Sequence, residues 1–275
     1  MVLSAAPSTD LTVFGSAQDG DDADCAGTVS LPVRDHINAA TATSLLHTDW
    51  RFVPKGKFID RNIIQGNILT LQRNEAVQRM RGDWLMFIDD DMVWDSNAVG
   101  RLLAARDEID ADIIGALCYR RSSPHQPTLF MREAPTSGGY NYLEDWTDDI
   151  IEVDATGMAF VIIHKRVFEA IAQSKMPARE VRNNIGLPNF FRWEGSIGED
   201  LRFCQDAKAA GCRVFVDTRI EVGHIAEVEI RRKHFLMEHI ERPVELVEAR
   251  REVNDRMGLP TLTAQDFKRK LGWDD

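Results

Sequence analysis

The stretch Trp84-Leu85-Met86-Phe87-Ile88 runs directly into Asp89-Asp90-Asp91. Five consecutive apolar residues fit a strand buried on both faces, as in a mainly parallel sheet. The three carboxylates then stand at the strand's C-terminal end, where open α/β sheets bind their ligands. Adjacent like charges at the margin of a core are costly unless a cation sits among them. In extended backbone Asp89 and Asp91 point to one side and Asp90 to the other. An oxygen-loving divalent ion such as Mg2+ or Mn2+ suits that same-side pair. The plain alternative is a solvated acidic turn.

A chain of 275 residues suits one large α/β domain, or one domain with an appended piece. Its net charge of -11 gives no general attraction for polyanions, although a local basic stretch is compatible with it. No apolar run approaches the ~18 residues of a transmembrane helix. Met1-Val2-Leu3-Ser4-Ala5-Ala6 has neither a basic region nor a long apolar segment, so no signal peptide is expected. The cysteines Cys25, Cys118, Cys204 and Cys212 show no C-x-x-C spacing, which predicts free thiols, a cytoplasmic location and no zinc site.

Along the chain, residues 1–27 are small, polar and acidic and read as a flexible tail. Order is expected from Thr28-Val29-Ser30-Leu31-Pro32-Val33, a first strand that ends at Arg34-Asp35, with a helix over 39–46. Trp50 to Val53 reads as a second strand, followed by a turn at Pro54-Lys55-Gly56-Lys57. Residues 67–81 have helical spacing, with Leu69, Ala76 and Met80 on one face and Arg73 among them. Arg73 there either snorkels past the core or reaches into a site. Asp95 or Ser96 is placed to cap a helix carrying Val99, Leu102 and Leu103. Residues 112–119 then form another buried strand. The alternation of strand and helix predicts a mainly parallel α/β sheet.

The rhythm breaks at 120–149, where Arg120, Arg121 and His125 make a basic irregular segment and Ser137-Gly138-Gly139-Tyr140 a turn. Such an insertion either shapes a substrate pocket or is a surface hairpin. Strands follow at 150–153 and 158–163, and Gly157 between them permits close backbone approach to a ligand. Residues 174–198 form a long loop of lid-like length bearing Phe190, Phe191 and Trp193. Glu199-Asp200 opens a helix, with Asp200 on the same side as Cys204 and Ala207. As a dipole partner Asp200 is merely structural; facing inward, it is a candidate acid or base. A last strand at 213–217 leads to Gly223-His224, and an imidazole beside carboxylates suits Mn2+. The remainder, including the basic run Glu229-Ile230-Arg231-Arg232-Lys233-His234, has a charged helical pattern.

In this order and spacing, Arg73-Asn74, Phe87-Ile88-Asp89-Asp90-Asp91, Asp154-Ala155-Thr156-Gly157-Met158-Ala159-Phe160, Gly198-Glu199-Asp200 and the stretch from Gly211 to His224 resemble a GT-A glycosyltransferase of the family 2-like branch. The resemblance spans residues 28–224. It implies a GT-A-like, Rossmann-like sheet flanked by helices over 28–225, after the 1–27 tail and before a helical extension at 226–275. It also implies a nucleotide-diphosphate sugar donor and Mn2+ or Mg2+. By the same resemblance Asp89 contacts the donor and stands near the metal, Asp91 and His224 bind the metal, and Arg73 contacts the donor. Pro32, Arg34 and Asp35 lie where the first strand meets the base. Asp200, beside Glu199, is the base of an inverting reaction, and Asp90 and Gly157 line the donor site. Trp193, with Phe190 and Phe191, is expected to stack on the acceptor. Whether Asp89 or Asp90 shares the metal with Asp91 stays open. A QxxRW-like motif is missing, since Asn189-Phe190-Phe191-Arg192-Trp193 precedes Glu199-Asp200 instead of following it. That points to non-processive transfer of a single hexose.

Two other readings compete. A nucleotidyltransferase shares this kind of sheet, but its glycine-rich basic loop is not evident in Ser30-Leu31-Pro32-Val33-Arg34-Asp35. A non-catalytic sugar-nucleotide or glycan-binding module needs neither the acidic triplet nor Asp200. The acceptor class is open: glycan, protein, lipid or a modified nucleic-acid base, the last only through local contacts at Arg120-Arg121 or Arg231-Arg232-Lys233.

Overall fold

The computed structural model describes residues 23–132, 139–174, 189–227, 237, 248, 251–252, 254–256 and 262–273. The acidic tail up to residue 22, Ser137-Gly138, the first part of the long loop and the Glu229–His234 basic run lie outside these residues. Two compact units divide the chain, the second beginning at Ala226.

The first unit is built on a seven-stranded sheet. Its strands are β1 (Cys25–Val33), β2 (Phe58–Gln65), β3 (Trp84–Ile88), β5 (Ile113–Leu117), β8 (Ile150–Val153), β10 (Phe160–His164) and β11 (Val214–Glu221). In space they stand in the order β2-β1-β3-β10-β5-β11-β8. β1 runs parallel to β2 and β3, and β5 parallel to β11; β10 is antiparallel to both β3 and β5, and β8 to β11. Five strands therefore point one way, giving the mainly parallel, Rossmann-like sheet expected.

Alternation along β3 fills two cores. Leu85 and Phe87 join one cluster with Ala76, Val77, Val167, Phe168, Phe203 and Ala207. Those come from α2 (Leu69–Gln78), α4 (Lys165–Gln173) and α5 (Glu199–Ala209). Trp84, Met86 and Ile88 join the other, with Val99, Leu102 and Leu103 of α3 (Ala98–Glu108). Helices thus cover both sheet faces, the three-layer arrangement that buries a strand apolar on both sides. Near the start of the unit lies α1 (Ala39–His47).

Several expectations change, beginning with the first strand, which starts at Cys25 inside the stretch expected as tail. Trp50–Val53 is a turn, closed by the Val53 amide donating to the Trp50 carbonyl at 3.1 Å, and the second strand is Phe58–Gln65. β2 is an edge strand with only Ile59 and Ile64 buried, so its polar residues hid it, whereas Trp50, Phe52 and Val53 pack against the second core from a turn. Asn97, not Asp95 or Ser96, is the N-cap residue of α3, and no side chain caps it. Phe190 and Phe191 belong to the core: Phe191 stacks on Phe203 at 4.5 Å and meets Phe87 edge-on at 5.4 Å, while Phe190 meets Phe168 at 5.2 Å. These rings gain more by packing against α4 and α5 than by waiting in water for a ligand.

In the second unit α6 (Ala264–Leu271) opens with a reciprocal capping box between Thr263 and Asp266 and closes at Gly272 in the left-handed conformation.

Gly82, just before β3, has φ +73°, and a β-carbon there would stand 2.6 Å from the Ala26 carbonyl carbon and the Gly27 nitrogen. Those are backbone atoms of a buried strand and cannot yield cheaply. Gly82→Ala is therefore expected to lower the unfolding free energy by at least about 2 kcal/mol, measured by urea denaturation.

Candidate active site

Because five strands run one way, the ends of β1, β3 and β5 meet at one edge. β10 runs the other way and so starts there: Phe160 pairs with Ile88, and the Asp89 amide donates to the Ala159 carbonyl at 2.9 Å. Beyond β3 a two-stranded ribbon forms between β4 (Met92–Val93) and β12 (Gly223–His224). It pairs His224 with Met92, and the Ile225 amide donates to the Asp91 carbonyl at 2.8 Å. Backbone pairing thus brings His224 beside an aspartate far away in sequence. A second small sheet, β6 (Leu129–Arg132), β7 (Tyr140–Tyr142) and β9 (Ala155–Thr156), is formed by the insertion.

His224 Nε2 stands 3.4 Å from Asp91 Oδ1, and Nδ1 is 2.9 Å from the Tyr119 carbonyl oxygen. A carbonyl only accepts, so Nδ1 carries the hydrogen and Nε2 faces the carboxylate. Two acceptors facing each other need a cation or a proton between them. Burial pushes the imidazole pKa down, but the Asp91 hydrogen bond, the Tyr119 carbonyl and the Asp91 charge together carry it above its ordinary value. Burial pushes Asp91 up, yet His224 and Arg121 hold it below its ordinary value. Arg121 Nη1 donates to Asp91 Oδ2 at 2.7 Å.

Asp89 turns to a different partner. Arg73, 3% exposed, donates from Nη2 to Asp89 Oδ1 at 3.2 Å and from Nη1 to Glu199 Oε1 at 2.8 Å. One guanidinium thereby ties the acidic triplet to the Glu199-Asp200 pair, with the Phe87 ring 5.8 Å from its central carbon. Arg73 therefore does not snorkel to solvent; its guanidinium is buried between two carboxylates. Burial drives the Asp89 pKa up against the pull of Arg73. Asp90 lies on the other side, where burial also raises its pKa and the Arg34 backbone partly offsets it.

The neighbours of Arg73 on α2 are equally committed. Gln72 Nε2 donates to the carbonyls of Val33 and Ile64, each at 2.7 Å, tying the helix to β1 and β2. Asn74 Nδ2 donates to the Phe191 carbonyl at 2.8 Å, and its Oδ1 accepts from the Phe191 amide at 3.0 Å. Asn74 so fixes the segment leading to Trp193, Gly198 and α5.

Asp200 lies in the first turn of α5, where its Oδ1 accepts from the Leu201 amide at 2.7 Å. Burial, then the charge of Glu199, raise its pKa, and Arg73 and the helix amides do not cancel them. A β-carbon on Gly198 would lie 3.0 Å from Asp200 Oδ1 and 3.9 Å from the Trp193 ring. The glycine thus lets the carboxylate and an indole that is 67% exposed share one spot.

Among the remaining candidates, Arg34 and Asp35 are exposed at the end of β1, and Pro32 is buried inside it, opposite Ile64. Gly157 is half-buried, and a β-carbon there would make ordinary contact with Thr128 at 3.5 Å. From the sequence, Arg121 stood only in a basic segment open to nucleic-acid contact and Asn74 only beside Arg73; the Arg121–Asp91 pair, the Tyr119 carbonyl and the Asn74 clamp were not anticipated. The available signal was an Arg pair directly beyond a buried strand that runs parallel, one strand removed, to the strand ending in aspartates. Among the described residues no three His, Cys, Asp or Glu side chains cluster as a metal cage, and no helix is long and apolar enough to cross a membrane.

Residues 57–170 match the family described as glycosyl transferase family 2. That segment of the chain is similar to family 2 glycosyltransferases. It includes Arg73 and the acidic triplet. No curated protein sequence matches the chain significantly. Similar solved structures include A197 from STIV, 16% identical over 73% of this chain and 85% of that one, with a TM-score of 0.47. Another is S. aureus TarS 1-349 in complex with UDP-GlcNAc, 13% identical over 78% of this chain and 64% of that one, with a TM-score of 0.42.

The two carboxylates on Arg73 make its removal severe. Arg73→Met is expected to destabilise the enzyme by about 3–5 kcal/mol at neutral pH in chemical denaturation. Loss of the guanidinium raises the already elevated Asp89 pKa further. The folded state then binds a proton at higher pH than the unfolded chain, so the deficit shrinks as pH falls and Asp89 protonates.

Proposed function

We propose that this chain is a glycosyltransferase that moves a single hexose from a nucleotide-diphosphate sugar to an acceptor hydroxyl, non-processively and with inversion, and that it needs Mn2+ or Mg2+. The observation that supports this most is the Arg73 bridge, which joins the Asp89–Asp91 end of β3 to the Asp200 helix at one sheet edge.

The donor set fits an ion shared with substrate. His224 is oriented by the Tyr119 carbonyl with Nε2 toward Asp91, an outer-shell arrangement typical of metal-binding histidines. Two protein side chains would suffice for an ion that is held partly by substrate, as Mg2+ and Mn2+ commonly are. Asp91 and His224 would hold such an ion, which would supply charge stabilisation to the departing diphosphate.

The chain's own residues do the rest. As the acceptor oxygen attacks the anomeric carbon, its proton passes to the Asp200 carboxylate and the bond from sugar to phosphate breaks, releasing the nucleoside diphosphate. Leu201 engages Asp200 Oδ1, which leaves Oδ2 to take the proton. Glu199 is held by Arg73 and serves as the partner whose charge keeps Asp200 basic. Trp193 offers an exposed face for the acceptor beside that carboxylate. Arg34 and Asp35 stand exposed where the base of the donor would lie, with Asp90 behind them.

Incubation with a panel of nucleotide sugars and acceptors, with and without Mn2+, tests this reading. Asp200→Asn should lower kcat by about 100-fold or more while donor binding persists. A base must be ionised to act, so activity should fall as pH drops, with the acid limb above the ordinary carboxylate range because the Asp200 pKa is raised. Release of pyrophosphate would instead favour nucleotidyl transfer, and tight donor binding without turnover in every mixture would favour a binding module.

A further inference from the structure

Arg121 occupies a place that the reaction needs emptied. Its Nη1 lies 2.7 Å from Asp91 Oδ2, while His224 Nε2 approaches Oδ1 of the same carboxylate at 3.4 Å. Both oxygens of Asp91 therefore face a cationic or imidazole group. Arg121 is 59% exposed on its side chain, and it pairs with Asp91. Arg73 differs in each respect: it is buried, and it is held by two carboxylates. An exposed ion pair is weak, so Arg121 can leave at small cost. The segment bearing it follows directly from Tyr119, whose carbonyl orients His224.

We propose that Arg121 is a placeholder for the divalent ion and then a ligand of the donor diphosphate. In the free enzyme its guanidinium neutralises Asp91. A divalent ion competes with it for that carboxylate, and the displaced guanidinium, still tethered two residues from Tyr119, pairs with the phosphate oxygens brought to the same ion. Planar guanidinium donors match phosphate oxygens closely, and the exchange replaces one charge-assisted pair by another. The enzyme thus avoids an uncompensated Asp91 before substrate arrives and couples metal and donor binding. This inference rests on the proposed metal-dependent reading of the site.

The two roles give effects of opposite sign, which a merely structural residue would not. In titrations of Mn2+ alone, followed by calorimetry or by loss of the free-ion paramagnetic resonance signal, Arg121→Gln is expected to bind the ion about 3- to 5-fold more tightly than the wild type, because its competitor is gone. With Mn2+ saturating, the same variant should bind UDP or GDP about tenfold more weakly. Arg121→Lys should restore part of both effects, as a charge without the fork. Equal Mn2+ affinity in wild type and Arg121→Gln, or a loss of both affinities together, overturns the placeholder while the metal reading stands. No Mn2+ binding by either protein, with nucleoside diphosphate present or absent, overturns the metal site and this inference with it.

Discussion

The buried guanidinium of Arg73 is the contact on which the active edge depends. Asp89 and Glu199 come from distant parts of the chain, and each alone would be a carboxylate at the margin of an apolar core. Burial of an unpaired ion costs several kcal/mol, which no local interaction of β3 or α5 repays. One rigid fork resolves both, because its two terminal nitrogens point in fixed directions. The edge-facing ends of a strand and a helix are thereby set at a defined spacing. The Phe87 ring beside the guanidinium belongs to the strand that delivers Asp89, so the apolar and ionic parts of the arrangement share one element.

His224 reaches the same edge by a different route. The β4/β12 ribbon pairs it with the residue after Asp91, and the Tyr119 carbonyl fixes its ring. Three strand ends therefore agree on its position: β3 through Asp91, β5 through Tyr119 and β11 through the chain that continues into β12. β10 contributes by direction. A parallel strand in that slot would bring its polar end to the edge, whereas the antiparallel one brings Ala159, whose carbonyl accepts from Asp89.

Much of this was readable in the residues, and the failures have physical causes. Apolar runs such as Trp84 to Ile88 could only be central strands, and their alternation with helical patterns implied the layered sheet. The acidic triplet stood out because three carboxylates follow directly on a buried strand. β2 was missed because an edge strand needs only two buried residues, Ile59 and Ile64, to hold its place. α2 was misread in part: Leu69 is 37% exposed, while Gln72, Arg73 and Asn74 are buried. Three consecutive polar residues look like a solvated face, and only tertiary partners show that each is satisfied by backbone or carboxylate. Phe190 and Phe191 looked like ligand-stacking aromatics because a sequence does not show which rings the core claims first.

Asp200 illustrates a balance that residue type alone leaves undecided. An acid in the first turn of a helix is ordinarily stabilised in its charged form by the free amides, worth about 0.3–1 kcal/mol when exposed. Here the Leu201 amide is engaged, yet the pKa rises, because desolvation and the charge of Glu199 outweigh it. Arg73 spends its two terminal nitrogens on Glu199 and Asp89 rather than on Asp200, so its pull on the third carboxylate is purely through space. The guanidinium that holds the site together thus neutralises the structural acids and leaves the remaining one basic. A carboxylate so placed gains proton affinity without losing its fixed position, and the general-base role proposed for it calls for both.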